Sequence, residues 1–186
     1  MHNMQKEYVV LVDEQNNILG TMPKYMVHGK KTLLHRAFSV FVFRQYDKKL
    51  LLQQRSFKKI AWPGTWSNSY CGHPLLHESN IEAALRRGKE ELGLKLNLLE
   101  EVAPYRYTFA KDGIMENEIC PILVGLIDTE PIINKDEVEA IGWVDWIDFL
   151  EDININPDNW SPWAIEEALI LNKNNRFKHI LNNQKI

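Results

Sequence analysis

Short runs of β-branched and aromatic residues, punctuated by turn residues, alternate along this chain with stretches of helical period. Residues 8–13 (YVVLVD) form the first such run, and Gln15-Asn16-Asn17 behind it supplies turn chemistry. Residues 37–44 (AFSVFVFR) and 50–54 predict two strands joined as a hairpin across Tyr46-Asp47-Lys48-Lys49. Residues 119–127 (ICPILVGLI) predict one strand in a sheet interior, and residues 139–145 (EAIGWVD) predict another. Helix signals stand at two places. Ser79-x-x-Glu82 is a capping box, followed by an apolar stripe of Ile81, Ala84 and Leu85 and a stop at Gly93. Ser161-Pro162 sets a capping hydroxyl before a proline at the first helical position, with Glu166 and Glu167 near the first turn, and this helix is expected to run into the 170s. The Asn- and Lys-rich end predicts nothing definite. Strands and helices in this order indicate a layered α+β or α/β domain.

Composition narrows the picture. The chain has 186 residues with no repeat, low-complexity tract or linker, which predicts a single domain over residues 1–186. Twenty-two basic against 25 acidic residues leave a net charge of −3, too balanced for a generic nucleic-acid or membrane-surface binder. No apolar run approaches a membrane span. The opening MHNMQKEYVVLVDE lacks the pattern of a signal peptide, so a cytoplasmic protein with its two cysteines, Cys71 and Cys120, free is expected. Nothing in the sequence demands a dimer, and a monomer is expected.

Four clusters carry chemistry-bearing side chains. In Ser67-Asn68-Ser69-Tyr70-Cys71-Gly72-His73-Pro74, Cys71 and His73 are two apart and share a side of an extended chain; a thiolate would be favoured beside an imidazole or metal. Glu116 and Glu118 are spaced the same way and suit metal ligation or acid catalysis, or a solvated strand end. His28 and His35 form a looser pair. Together His28, His35, His73, Glu116 and Glu118 would make a mixed nitrogen and oxygen site for a divalent ion, with more ligands than structural zinc takes. Arg87 and Glu91 lie four apart on the capped helix, as a phosphate-and-metal grip or as a plain surface ion pair. Lys24, Arg55, Lys58 and Lys59, near Ala61-Trp62-Pro63-Gly64, could neutralise a diphosphate beside an aromatic pocket. His2, His77 and His179 are expected at the surface.

The stretch from Gly72 to Leu94 resembles the Nudix box, G-x5-E-x7-R-E-U-x-E-E-x-G-U, with Arg86-Arg87 where hydrolases have Arg-Glu and Gly88 at the bulky apolar position. The other motifs are similar to those of the type I isopentenyl-diphosphate δ-isomerases: Lys24-Tyr25-x-x-His28 with His35, Lys59-x-Ala61-Trp62-Pro63-Gly64, Asn68-Ser69-x-Cys71-Gly72-His73-Pro74, Arg106-Tyr107, Glu116-Asn117-Glu118 and Trp160-Ser161-Pro162-Trp163. They follow in family order over roughly residues 4–175. The resemblance implies a Nudix-like α/β/α sandwich of α+β class with a mixed central β-sheet. It implies isomerisation of isopentenyl to dimethylallyl diphosphate through a tertiary carbocation, with Cys71 and Glu118 as the proton-transfer groups and Tyr107 as a relay. Acid strength favours Glu118 with Tyr107 on the protonating side and Cys71, as thiolate, on the other. The resemblance further implies Trp163 against the cation, and a divalent metal (Mn²⁺, Zn²⁺ or Mg²⁺) on His28, His35, His73, Glu116 and Glu118. A Mg²⁺ carried with the diphosphate would lie at Glu91 and Cys71, with Lys24, Arg55, Lys59 and Arg87 on the phosphate oxygens. Cys120, Trp62 and Trp160 are expected to be structural. The alternative is a Nudix hydrolase acting on a nucleoside or prenyl diphosphate, and the missing box acid at Arg87 argues against it.

Overall fold

The computed structural model describes residues 7–182; His2 and the other residues outside that range are not described. Strand β1 (Tyr8–Val12) turns into β2 (Ile18–Pro23), a strand whose Gly and Pro hid it from the pattern. Asp13 Oδ1 accepts the backbone N–H groups of Gln15 (2.9 Å) and Asn17 (2.8 Å), which lets Asn16 take φ 63° in the turn. After a single helical turn, α1 (Lys24–Val27), come β3 (His35–Arg36) and β4 (Phe38–Arg44), then β5 (Leu50–Arg55), paired to β4 as the predicted hairpin. Short strands β6 (Trp66–Ser67) and β7 (Tyr70–Gly72) lead to helix α2 (Asn80–Leu92). The α2 capping box forms reciprocally between Ser79 and Glu82, and Gly93 ends the helix in the left-handed region at φ 61°.

The second half contains β8 (Leu98–Ala103), β9 (Arg106–Lys111), β10 (Ile114–Ile119), β11 (Ile122–Ile127) and β12 (Val138–Val144). Helices α3 (Trp146–Ile155), α4 (Pro162–Lys173) and α5 (Asn175–Asn182) follow, the last of them built by the Asn- and Lys-rich stretch.

The strands divide between two mixed sheets. One has the order β2-β1-β3-β10-β9 and the other β12-β5-β4-β11-β8, with β6 on β5 and β7 on β4. The second sheet is buried on both faces. Phe38, Val40 and Val42 of β4 pack with Ala83, Ala84 and Leu92 of α2, while Phe41 and Phe43 pack with Phe149, Ala168, Leu171 and Phe177 of α3, α4 and α5. Each of these Phe, Val and Leu side chains contributes about 1.5–3 kcal/mol by leaving water. This is the expected sandwich, with helices on both sides of a sheet and a further sheet beside it. No helix among the described residues is long and apolar enough to cross a membrane.

Three local expectations are corrected. Residues 119–127 are not one strand: Ile119 closes β10 in the first sheet and Ile122 opens β11 in the second. Pro121 has no N–H for a ladder, and the chain bends there. Its parallel neighbour bends at Ala37, between β3 and β4, and the two stay joined through the bend by Ala37 N–H to Ile119 O (2.9 Å) and Ser39 N–H to Pro121 O (3.1 Å). Leu85 faces outward, 45% exposed, because the buried face of α2 passes through Ala83, Ala84, Arg87, Gly88, Glu91 and Leu92. Ser161 does not cap α4: its buried hydroxyl lies 2.8 Å from Ser67 Oγ instead.

Candidate active site and metal centre

The bend between the sheets brings the predicted ligands together. Parallel pairing sets Glu118 of β10 beside His35 of β3, and antiparallel pairing sets it beside Tyr107 of β9. Period two puts Glu116 and Glu118 on one face of β10, and both are buried, not solvated. His73 follows β7, and His28 follows α1. The three imidazole rings lie 5.2–6.1 Å apart, and donor atoms of His28, His35, His73 and Glu118 all fall within 4.8 Å of one another. Glu116 Oε2 joins them, 2.8 Å from His28 Nε2.

The surroundings suit a cation. His28 Nδ1 lies 3.0 Å from Lys24 O and His35 Nδ1 lies 2.8 Å from Leu33 O. A carbonyl only accepts, so each Nδ1 carries the proton and each Nε2 offers its lone pair to the cluster. His35 Nε2 and Glu116 Oε2 are buried and make no hydrogen bond, although carboxylate or imidazole atoms stand close by. Unsatisfied acceptors converging in a buried pocket fit a divalent metal with nitrogen and oxygen ligands. The group charges at His73 and Glu118 agree, whereas at His28 the neighbouring carboxylate favours a proton that a metal would displace. Burial, with Lys24 and His35 near, holds His73 down at about 3, as a neutral ligand. Burial pulls His28 down, but Glu116 outweighs it and raises that imidazole. Burial also pushes Glu118 up, yet His35 and His73 prevail and hold its carboxyl well below the usual range.

Tyr107 O–H donates to Glu118 Oε2 at 2.5 Å, and burial beside that carboxylate keeps the phenol protonated. The Tyr107 ring stacks on Trp163 at 5.9 Å, and Trp62, buried as expected, meets the edge of Trp163 at 5.1 Å. Trp163 Nε1–H donates to Asn68 Oδ1 (3.2 Å), and Asn68 in turn holds Cys71: its Nδ2–H reaches Sγ at 3.3 Å and its Oδ1 accepts the thiol at 3.4 Å. A continuous line of contacts therefore runs Glu118, Tyr107, Trp163, Asn68, Cys71. The expected Cys71 thiolate is not the resting form. Burial, beside the Glu167 carboxyl, pushes the thiol up to about 12, and its partners are Asn68 and Ser39, not His73. Cys120 is buried between the strands, as a structural residue should be.

Three of the four expected phosphate-binding cations gather around two carboxylates. Glu7 lies 2.6 Å from Lys24 and 3.2 Å from Arg87; Glu137 pairs with Lys59 and lies 3.2 Å from Arg87. Arg87 also pairs with Glu91, and both are buried, so this is not a surface ion pair. Arg55 is held differently, donating to the carbonyls of Ala61 (2.8 Å) and Trp62 (3.2 Å) with its guanidinium 5.5 Å over the Trp163 ring. Glu91 and Cys71, expected together on one ion, have separate partners here. Lys58 turns to Asp136. Glu7, Glu137, Ser39 and Glu167 were not marked by the sequence as site residues. Each meets its partner across a long stretch of chain, and no local spacing signals such a meeting.

A NUDIX domain family model matches residues 33–164. Isopentenyl-diphosphate Delta-isomerases from Escherichia coli and Shigella boydii are each 42% identical over 167 residues, covering 89% of this chain and 91% of theirs. Among solved structures, DR0079 from Deinococcus radiodurans superposes with a TM-score of 0.68 at 19% identity, over 88% of this chain and 98% of that one. RenU, a Nudix hydrolase from M. smegmatis, gives 0.53 at 16%, over 96% of each chain. At such identities the structural likeness shows the fold alone.

Proposed function

The chain belongs to the Nudix family and, within it, to the isopentenyl-diphosphate Delta-isomerases, and from that premise we propose that it interconverts isopentenyl and dimethylallyl diphosphate, with Cys71 and Glu118 as its two proton-transfer groups. The observation that carries this reading is the aromatic bridge between those groups. Moving a double bond along a five-carbon chain requires a proton to be added at one carbon and removed from another. Glu118 with Tyr107 stands at one end of the Tyr107–Trp163 stack and Cys71 at the other.

Protonation of the alkene generates a tertiary cation. The face of Trp163 would steady it by about 2 kcal/mol where water is excluded. The walls of Trp62, Tyr105 and Tyr107 keep water from trapping the cation as an alcohol. The interconversion is reversible, so the acid of one direction is the base of the other. Burial favours the proton on Cys71, while His35 and His73 favour an ionised Glu118, the charge pattern opposite to the one that acid strength alone favours.

His28, His35, His73, Glu116 and Glu118 would hold a divalent metal, Mn²⁺, Zn²⁺ or Mg²⁺, which would supply positive charge that strengthens the neighbouring acid. Lys24, Lys59 and Arg87 would take the diphosphate, exchanging Glu7 and Glu137 for its oxygens, with Arg55 beside Trp163 and a Mg²⁺ accompanying the substrate at Glu91 and Cys71. Anchoring the diphosphate orients the reacting carbons.

The test is NMR of isopentenyl diphosphate incubated with the protein and Mg²⁺ in D₂O. Dimethylallyl resonances carrying solvent deuterium are expected. Release of phosphate without them would mark a hydrolase and defeat the reading.

A further inference from the structure

We propose that Glu167 is a positioning residue for the reaction: through the hydroxyl of Ser39 it fixes how the Cys71 thiol is held. Glu167, on α4, is fully buried and has no cationic partner among the described residues. One carboxyl oxygen, Oε1, has no hydrogen-bond partner; the other lies 2.6 Å from Ser39 Oγ. Ser39 Oγ in turn accepts Asn68 Nδ2–H at 2.8 Å and lies 3.5 Å from Cys71 Sγ.

A hydroxyl has one proton to give and two lone pairs to fill. When Glu167 is a neutral acid, its O–H and the Asn68 amide fill both lone pairs of Ser39, and the Ser39 proton is left with Sγ as its acceptor. An ionised Glu167 would claim that proton and turn an oxygen lone pair toward the sulfur. A lone carboxylate in an apolar interior is strongly disfavoured, so the neutral acid is the resting form. Burial, with the charges of Glu118 and Glu166 added, pushes this carboxyl well above the usual range, in agreement.

The proposal rests on Cys71 as a proton-transfer group, and the experiment separates the two claims. Steady-state kinetics are compared for wild type, Glu167→Gln, Glu167→Leu, Ser39→Ala and the Ser39→Ala/Glu167→Leu pair, beside Cys71→Ala. Glu167→Leu and Ser39→Ala should each lower kcat about tenfold or more with KM unchanged. The pair should be no slower than either alone, and Glu167→Gln, a neutral donor, should restore most of kcat. A Gln variant as slow as the Leu variant, or effects confined to KM, would overturn the proposal. The second readout needs no substrate. The infrared S–H stretch of Cys71, identified by its loss in Cys71→Ala, should shift in Ser39→Ala and Glu167→Leu but not in Glu167→Gln. An unmoved band overturns the positioning role. An active Cys71→Ala with a shifted band would instead overturn the catalytic reading and leave the positioning intact.

Discussion

Cys71 and His73 stand two residues apart, yet their side chains keep different company: one meets Asn68 and Ser39, the other Glu118 and His35. The proton-transfer role proposed for Cys71 leaves it no substitute in this arrangement, so Cys71→Ala should abolish turnover while leaving the melting temperature nearly unchanged, as activity and circular dichroism would show. The carboxylates have their own test. Burial pushes Glu7 up, but Lys24 and Arg87 hold it at about 2, below the ordinary 4.5. A carboxyl whose value is lowered by folding stabilises the fold fully above about pH 4.5, and that contribution is lost as pH falls toward 2. Melting temperature should therefore fall more steeply on acidification in wild type than in Glu7→Gln. Residues with a motif around them, such as His73, Glu118 and Arg87, were legible in the sequence. Glu7 and Glu137 were not, because an isolated acid looks the same whether it is solvated or clasped by cations from distant segments.

Helix α2 shows what was legible among the elements and what was not. Its ends were fixed by local chemistry, the Ser79–Glu82 box and Gly93, and both formed as expected. Its buried face was partly misjudged, since a charged pair, Arg87 and Glu91, occupies positions that an apolar stripe would lead one to give to Leu85. Gly88 at the usually bulky position has its explanation in another element. A Cβ there would stand 2.8 Å from the hydroxyl and 2.9 Å from the ring of fully buried Tyr70 on β7, so the tyrosine already fills the space. Gly88→Leu should destabilise the fold by about 1–3 kcal/mol in urea titration, through overpacking. The Tyr70 hydroxyl itself has no hydrogen-bond partner, so Tyr70→Phe should be neutral or stabilising in the same assay. Strand β10 was misjudged for a different reason: the apolar run through Cys120 and Pro121 carries no mark of passing from one sheet to another.

On the scale of the whole molecule, each sheet carries one of the two proposed proton-transfer groups. Glu118, with Tyr107 and His35, belongs to the first sheet, and Cys71, with Ser39, belongs to the second. They are linked, through Tyr107, Trp163 and Asn68, where two parallel strands bend together at Ala37 and at Cys120–Pro121. The layered class was legible from the order of strands and helices, whereas this shared bend, which depends on pairing across the chain, was not. It has a consequence for how the protein acquires activity in time. The first sheet is closed across 83 residues, where Thr32 Oγ1–H donates to Met115 O at 2.6 Å, and such distant contacts form slowly because loop closure precedes any gain from them. A partly folded chain with α2 capped and the β4–β5 hairpin formed would still lack the placement of His28, His35, Glu116 and Glu118, four of the five proposed ligands. Refolding followed in parallel by tryptophan fluorescence and by isomerase assay should thus show activity returning only with the slowest phase, making catalysis the last property the chain gains and the first it loses.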